Sequence, residues 1–208
     1  MRRTIDVSVS ILVLFLVSPI LVAVALAVFI DSRGSIFYPA RRVGLNGRQF
    51  RMWKFRTMLE GAESMGSITG RNDPRVTRVG GVLRKTKLDE LPQFVNVLAG
   101  DMTLVGPRPE SPDMVARYKP DELAVLSVKP GITGRVQLEA GEESESIPEG
   151  VQAEEYYAGH LMENKLRRDI EYLRDRTPLS DIRILVNTVA YVFRCMGHVL
   201  MPSTKDSI

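Results

Sequence analysis

An uncharged apolar run near the N-terminus limits what this chain can become more than any other feature. Residues 7–30 carry no charge, and 17 of these 24 are Leu, Ile, Val or Phe. Each such residue gains about 0.3–0.6 kcal/mol on entering a bilayer, so the run gains roughly 5–10 kcal/mol before its Ser and Pro costs. Three membrane forms compete. A cleaved signal peptide has Arg2 and Arg3 ahead of the run and Ala25-Leu26-Ala27 as an imitation cleavage site. Against it, the apolar stretch continues through Val28-Phe29-Ile30, beyond an ordinary signal core. A single spanning helix fits the length. The third form is a re-entrant hairpin.

Two features favour the hairpin. Ser18-Pro19 stands mid-run, where proline removes a helical hydrogen bond and a serine hydroxyl can satisfy the freed carbonyl. Each half is then about 16–18 Å long, close to one leaflet. Charge is the second feature. Arg2 and Arg3 precede the run, and Arg33, Arg41, Arg42, Arg48, Arg51, Lys54 and Arg56 follow it, against Asp31 alone. Basic flanks prefer the cytoplasmic side, and only a hairpin keeps both there. A proline-kinked spanning helix remains the competing form.

The formal net charge is only +3, so the basic stretch after the run is a local feature rather than a general one. It attracts anionic headgroups and phosphate-rich substrates, and it also serves as a topology signal. Few aromatics and no nucleic-acid-binding pattern accompany it, which argues against nucleic acid as a partner. Cys195 is the only cysteine and His160 and His198 the only histidines, so an intrachain disulfide and zinc-type spacing are both excluded.

Asn46-Gly47 predicts a hairpin turn with Phe50, Met52 and Phe55 on the following strand. A short helix and a polar loop are expected over 59–80, a Gly/Pro-rich loop over 99–110, a short helix over 112–127 and a flexible acidic loop over 139–149. Residues 182–200 form a helix whose polar residues Arg183, Asn187, Arg194 and His198 fall in one narrow stripe. That pattern suits a helix lying in the membrane interface, with a core helix turning its stripe to water as the alternative.

Leu91, Phe94, Val95 and Leu98 mark an apolar helical face, with Pro92 in its first turn and Asp89-Glu90 at or just before its start. By position alone Asp89 reads as a cap. Arg84, Lys85 and Lys87 before the pair and Arg108 in Gly106-Pro107-Arg108-Pro109 after it change that reading. A carboxylate kept ionised by a helix start and nearby cations attacks phosphorus, a second carboxylate holds Mg²⁺ with substrate phosphates, and arginine grips phosphate through its planar fork. No P-loop, kinase or dinucleotide-binding glycine pattern is present.

Several ordered blocks resemble the bacterial monotopic phosphoglycosyl transferases, also called polyprenyl-phosphate sugar phosphotransferases or bacterial sugar transferases. They are Lys54-Phe55-Arg56-Thr57-Met58, Asn72-Asp73-Pro74-Arg75-Val76-Thr77, Gly80 through Asp89-Glu90-Leu91-Pro92-Gln93, Val105-Gly106-Pro107-Arg108-Pro109-Glu110 and Lys129-Pro130-Gly131-Ile132-Thr133-Gly134. The chain resembles the minimal catalytic form of that family. It departs at Arg33-Gly34-Ser35, where many members carry Pro-Gly-Pro, at Pro39-Ala40, and at Arg135 and the acidic loop.

The resemblance implies a re-entrant helix broken at Ser18 and Pro19 and an α-rich α+β fold. Residues 1–36 would be the anchor, and 37–208 a cytoplasmic catalytic domain with interfacial helices and a minor β component. It implies Asp89 as nucleophile and Glu90 as Mg²⁺ ligand, Arg108 as phosphate-binding residue, Arg84 as a further candidate, and Lys54 and Arg56 as cationic contacts. The implied reaction passes a sugar 1-phosphate from a UDP-sugar through a covalent aspartyl intermediate to polyprenyl (undecaprenyl) phosphate. UMP is released, at the bacterial inner membrane, as the first membrane step of glycoconjugate or exopolysaccharide assembly. Partners are then donor, acceptor and membrane lipids, with a dimer compatible but unmarked in the sequence. Two other classes stay in view: a membrane-anchored protein that binds anionic lipid, and an inactive regulator of the same fold.

Overall fold

Helix α1 (Arg2–Asp31) absorbs the whole apolar run and contains Pro19. In the computed structural model, which describes residues 2–62, 66, 68–70, 73–140, 146–148 and 150–200, the Ser18 hydroxyl donates to the Phe15 carbonyl at 2.8 Å. That carbonyl lies four residues before Pro19 and would have bonded the amide proton that proline lacks. Serine thus mends the gap that its neighbour opens.

Both ends of α1 rest on the remainder of the chain. Near its start, the Arg3 guanidinium donates to the Val97 and Leu98 carbonyls. Asp6 accepts from the Thr103 hydroxyl at 2.7 Å. Near its end, Val24 and Val28 pack with Phe55 and Leu83, and the Asp31 carboxylate accepts from the Val79 amide at 3.1 Å. Between these anchor points, no residue from 11 to 23 is buried. By length and composition α1 is able to cross a membrane, and its exposed Phe15, Leu16, Phe29 and Ile30 point to membrane association.

Strands β1 (Phe37–Val43) and β2 (Gln49–Phe55) pair antiparallel. Asn46 and Gly47 both adopt positive φ, 54° and 77°, at the expected turn. Where a short helix was expected after residue 59, the described residues form a turn; an isolated bridge joins Met58 and Val76, and Arg75 ties the segment by donating to the Ala62, Gly66 and Ile68 carbonyls. Asn72 and most of the acidic 139–149 loop lie outside the described residues.

Helix α2 (Arg78–Thr86) starts at a Thr77 cap, whose hydroxyl accepts from the Gly80 amide at 2.9 Å. A side chain at Gly80 would overlap the Thr57 backbone, so glycine lets α2 lie directly against the loop leaving β2. The chain reverses at Lys87, which takes a left-handed φ of 61°, and then makes a 3₁₀ turn, Leu88–Glu90. Helix α3 (Gln93–Ala99) follows.

The apolar face expected for α3 is corrected by the structure. Gln93, Asn96 and Val97 are the buried residues, while Val95 is exposed. Asn96 is drawn inward by the backbone of β2, since its side chain accepts from the Trp53 amide at 2.9 Å and donates to the Arg51 carbonyl at 2.7 Å. Periodicity counts apolar residues and misses a buried amide that satisfies a strand edge.

Strand β3 (Thr103–Val105), inside the stretch 99–110 expected to be a loop, pairs parallel with β4 (Gly131–Thr133). Their close approach depends on glycine, because a side chain at Gly131 would overlap the Gly106 backbone. The helix expected over 112–127 divides into α4 (Pro112–Val115) and a 3₁₀ segment, Glu122–Ser127. Pro120 separates them, since proline disfavours helical geometry at the residue before it.

After α5 (Arg135–Ala140), α6 (Ala153–Tyr156) runs through a π-helical turn, Tyr157–Leu161, into α7 (Met162–Arg174). Helix α8 (Pro178–Leu200) ends the described chain. It buries Ile184 among Leu104, Val105 and Tyr172, while Leu179, Ile182, Val186, Val189 and Phe193 stay exposed. These five recur at alternating three- and four-residue steps, which makes a continuous apolar stripe beside the polar one.

Candidate active site

The site gathers where the 3₁₀ turn carrying Asp89 and Glu90 meets β2 and the loop after β3. Lys54 projects from β2 and donates to Glu90 Oε1 at 3.1 Å. Arg108 reaches the same carboxylate from the Pro107-Arg108-Pro109 loop, at 2.8 Å to Oε1 and 3.4 Å to Oε2. Asp89 is only 5% exposed. Four residues singled out from the sequence therefore converge: Lys54, Asp89, Glu90 and Arg108.

The two carboxyls are driven in opposite directions. Burial pushes Asp89 up to about 6, opposed by Lys54 and reinforced by the Glu90 charge. Burial also acts against ionised Glu90, but Arg108 and Lys54 outweigh it and hold that group well below the usual carboxylate range. Lys54 is itself lowered by burial, with Glu90 resisting. Adjacent groups separated in this way divide the chemical roles, and the readily protonated one is the better nucleophile once ionised. Asp89 is still mostly ionised at neutral pH, but its carboxyl is raised rather than held down by a helix start. Asp89 sits in the 3₁₀ turn, four residues before α3 begins, so burial governs it rather than the α3 dipole.

The remaining predicted cations lie farther out. Arg84 lies in the last turn of α2, and its Nε donates to the Thr57 hydroxyl at 3.0 Å, while its charge still acts on Asp89. Arg56 is turned away from the carboxylate pair. Its guanidinium donates to the Arg33 carbonyl and, at 2.7 and 3.0 Å, to the Ser32 carbonyl and hydroxyl. It caps the C-terminal end of α1, where helices leave carbonyls without partners.

Sequence reasoning missed a second buried cluster adjoining the first. Glu110 Oε1 accepts from the Tyr157 hydroxyl at 2.5 Å and from Lys165 Nζ at 2.7 Å, and Lys165 also donates to Tyr157 at 2.8 Å. Lys165 and its neighbours hold Glu110 down at about 2 against the effect of burial. The charge of Arg42 acts on both Glu110 and Lys54, which links the two clusters electrostatically. Glu110 stood in a recognised block, but no local pattern marks Lys165, 55 residues away.

Glu90 is suited to Mg²⁺ because this ion commonly takes one or two protein carboxylates and fills its shell with water and substrate phosphate. No group of three or more metal-binding side chains occurs among the described residues, so a substrate-completed site is the form this donor set fits.

A family model described as bacterial sugar transferase matches residues 1–195. The UDP-glucose:undecaprenyl-phosphate glucose-1-phosphate transferase of Escherichia coli is 37% identical over 195 residues, covering 91% of this chain and 39% of that protein. The UDP-N-acetylgalactosamine-undecaprenyl-phosphate N-acetylgalactosaminephosphotransferase of Aeromonas hydrophila is 32% identical over 200 residues, covering 94% and 44%. The exopolysaccharide production protein ExoY of Sinorhizobium fredii is 37% identical over 212 residues, covering 94% and 87%. The chain thus spans about two fifths of the first two relatives and most of the third.

Proposed function

Because the chain belongs to the bacterial sugar transferase family, we propose that it transfers a sugar 1-phosphate from a UDP-sugar to undecaprenyl phosphate. The observation that carries this reading is buried Asp89 beside half-buried Glu90, with Glu90 held against Lys54 and Arg108. Ionised Asp89 attacks the β-phosphorus of the donor, and the bond from that phosphorus to the oxygen bridging the two phosphates breaks. UMP leaves, and the sugar phosphate stays on the Asp89 carboxyl as an acyl phosphate. A phosphate oxygen of the polyprenyl acceptor then attacks the same phosphorus and releases the aspartate. Arg108 binds and orients the diphosphate, and Lys54 adds positive charge beside it. Glu90 would hold Mg²⁺, whose chemistry here is to neutralise phosphate charge.

Nucleotide identity tests the reading directly. Protein, Mg²⁺ and undecaprenyl phosphate are incubated with a panel that includes UDP-glucose and UDP-N-acetylgalactosamine, the donor sugars in the relatives' names. Release of UMP from one donor is expected. Release of UDP means ordinary glycosyl transfer and sinks the aspartyl mechanism.

The same reading places α1 as a re-entrant anchor over 1–36, with residues 37–208 as a catalytic domain on the cytoplasmic face of the inner membrane. A straight helix of 30 residues is about 45 Å long. Resting both ends of such a rod on one body would bury a face along its middle, and residues 11–23 are not buried. A bend at Ser18-Pro19 removes the conflict and leaves Phe15 and Leu16 at the tip, deepest in lipid. The exposed stripe of α8 would lie in the interface. Impermeant labelling of tags at both termini should find both on the cytoplasmic side; a periplasmic N-terminus overturns the hairpin.

A further inference from the structure

We propose that Glu110, Lys165 and Tyr157 form a clamp that positions Arg108 for phosphate binding; this rests on the reading of Arg108 given above. The loop that carries Arg108 is tied by its backbone at both ends. The Gly106 amide donates to Thr133 at 2.9 Å, Pro107 accepts from Gly131 at 2.9 Å, and Glu110 accepts from the Val43 amide at 2.9 Å. Those bonds fix where the loop enters and leaves. The Glu110 side chain adds a third tie, to α7. One oxygen receives both the Lys165 ammonium and the Tyr157 hydroxyl. Only Pro109 lies between Glu110 and Arg108, and its ring restricts the backbone, so an anchored Glu110 limits the positions open to Arg108.

Stability alone is a poor account of this cluster. Glu110 is 7% exposed, Lys165 8% and Tyr157 1%. Removing a lysine and a glutamate from water costs about as much as their pairing returns, and apolar side chains of similar size often serve a core as well or better. What the pair supplies is a fixed distance between α7 and the loop. Tyr157 opens the π-helical turn, and turns of that kind frequently occur at functional sites. The turn gives Tyr157 its place beside Lys165 and lets both converge on the same oxygen.

The test separates positioning from folding. A single Lys165→Met leaves the buried Glu110 carboxylate without its ammonium, so the informative variant is Glu110→Gln/Lys165→Met, which keeps an acceptor for Tyr157, removes both charges of the pair and leaves buried Asp169, on the same helix, unchanged. It is expected to unfold at a temperature close to wild type while kcat/KM for UMP release falls on the order of 10²-fold, as for a misplaced binding group. Arg108→Ala added to that background should cost far less than Arg108→Ala in wild type, because groups that act as a unit are not additive. Multiplying effects, or unchanged activity in the double variant, overturn the clamp while the transferase reading stands. A wild-type protein that releases no UMP overturns both. If the double variant does not fold, Tyr157→Phe removes one donor without altering charge; the same non-additivity with Arg108→Ala supports the clamp, and wild-type kinetics sink it.

Discussion

Asp89→Asn is expected to end UMP release while making the folded protein more stable at neutral pH. Loss of a nucleophile costs on the order of 10⁴-fold or more in turnover, and the amide cannot form the acyl phosphate. The stability change follows from the direction of the pKa shift. The folded Asp89 carboxyl is raised to about 6 by burial, so the folded state binds a proton more readily than the unfolded chain. The charged form therefore opposes folding. That penalty is fully present above pH 6 and disappears as the pH falls towards the unfolded value near 4. An asparagine carries no such charge, and the expected gain at pH 7.5 is on the order of 1–3 kcal/mol. Thermal unfolding without Mg²⁺ at pH 7.5 and pH 4.5 measures it, with the variant's advantage shrinking at the lower pH. In wild type the nucleophilic form is the carboxylate, so the rate of UMP release should fall as the pH drops through the range in which Asp89 takes up its proton. An asparagine variant that still releases UMP at an appreciable rate removes Asp89 from the nucleophile role.

The parts of this site legible in the sequence were those encoded locally. An apolar run of 24 residues has few structural outcomes, and α1 covers it. Asn46-Gly47 specified a turn with positive φ, and the hairpin formed around it. Asp89, Glu90 and Arg108 sat in blocks whose chemistry was coherent before any contact was visible. Contacts between segments distant in sequence were not legible. Arg56 shares a block with Lys54, two residues away, yet one faces Glu90 and the other closes the end of α1. Strand alternation would place both on the same face of β2, but β2 ends at Phe55 and Arg56 lies beyond it.

Burial was the other quantity that pattern alone misjudged. Asn96 looks like a surface residue between Val95 and Val97, but the backbone of β2 requires a partner with both a donor and an acceptor, and an amide supplies both. Cations around Asp89 suggested a carboxyl held below its usual range. The cations are present, but the carboxyl is buried deeply enough for desolvation to outweigh them. Counting charges along the chain cannot weigh the two effects, since one falls off with distance and the other depends on how completely water is excluded.

Arg108→Ala should be the most damaging substitution outside the carboxylate pair, lowering kcat/KM for UMP release on the order of 10²–10³-fold. In the structure Arg108 engages both oxygens of Glu90, at 2.8 and 3.4 Å. Pairing with Glu90 thus neutralises the guanidinium fork and holds it in place. Glu90 would hold Mg²⁺, whose charge would offset that of the phosphates, and the Arg108 fork beside it would grip phosphate oxygens. Alanine removes that grip. Arg108→Lys retains the charge but not the two-point grip, so partial recovery is expected. Folding should be nearly unaffected, since Arg108 is partly exposed and Glu90 keeps Lys54 as partner. The Glu90 carboxyl should rise, because Arg108 is the largest influence holding it down. Arg84→Ala should cost less, as Arg84 is occupied with Thr57 and has no contact with Glu90 of the kind Arg108 makes. Steady-state kinetics across the four proteins give the ranking. An Arg108→Ala protein with wild-type kcat/KM, or one less impaired than Arg84→Ala, removes Arg108 as the residue that grips the transferred phosphate.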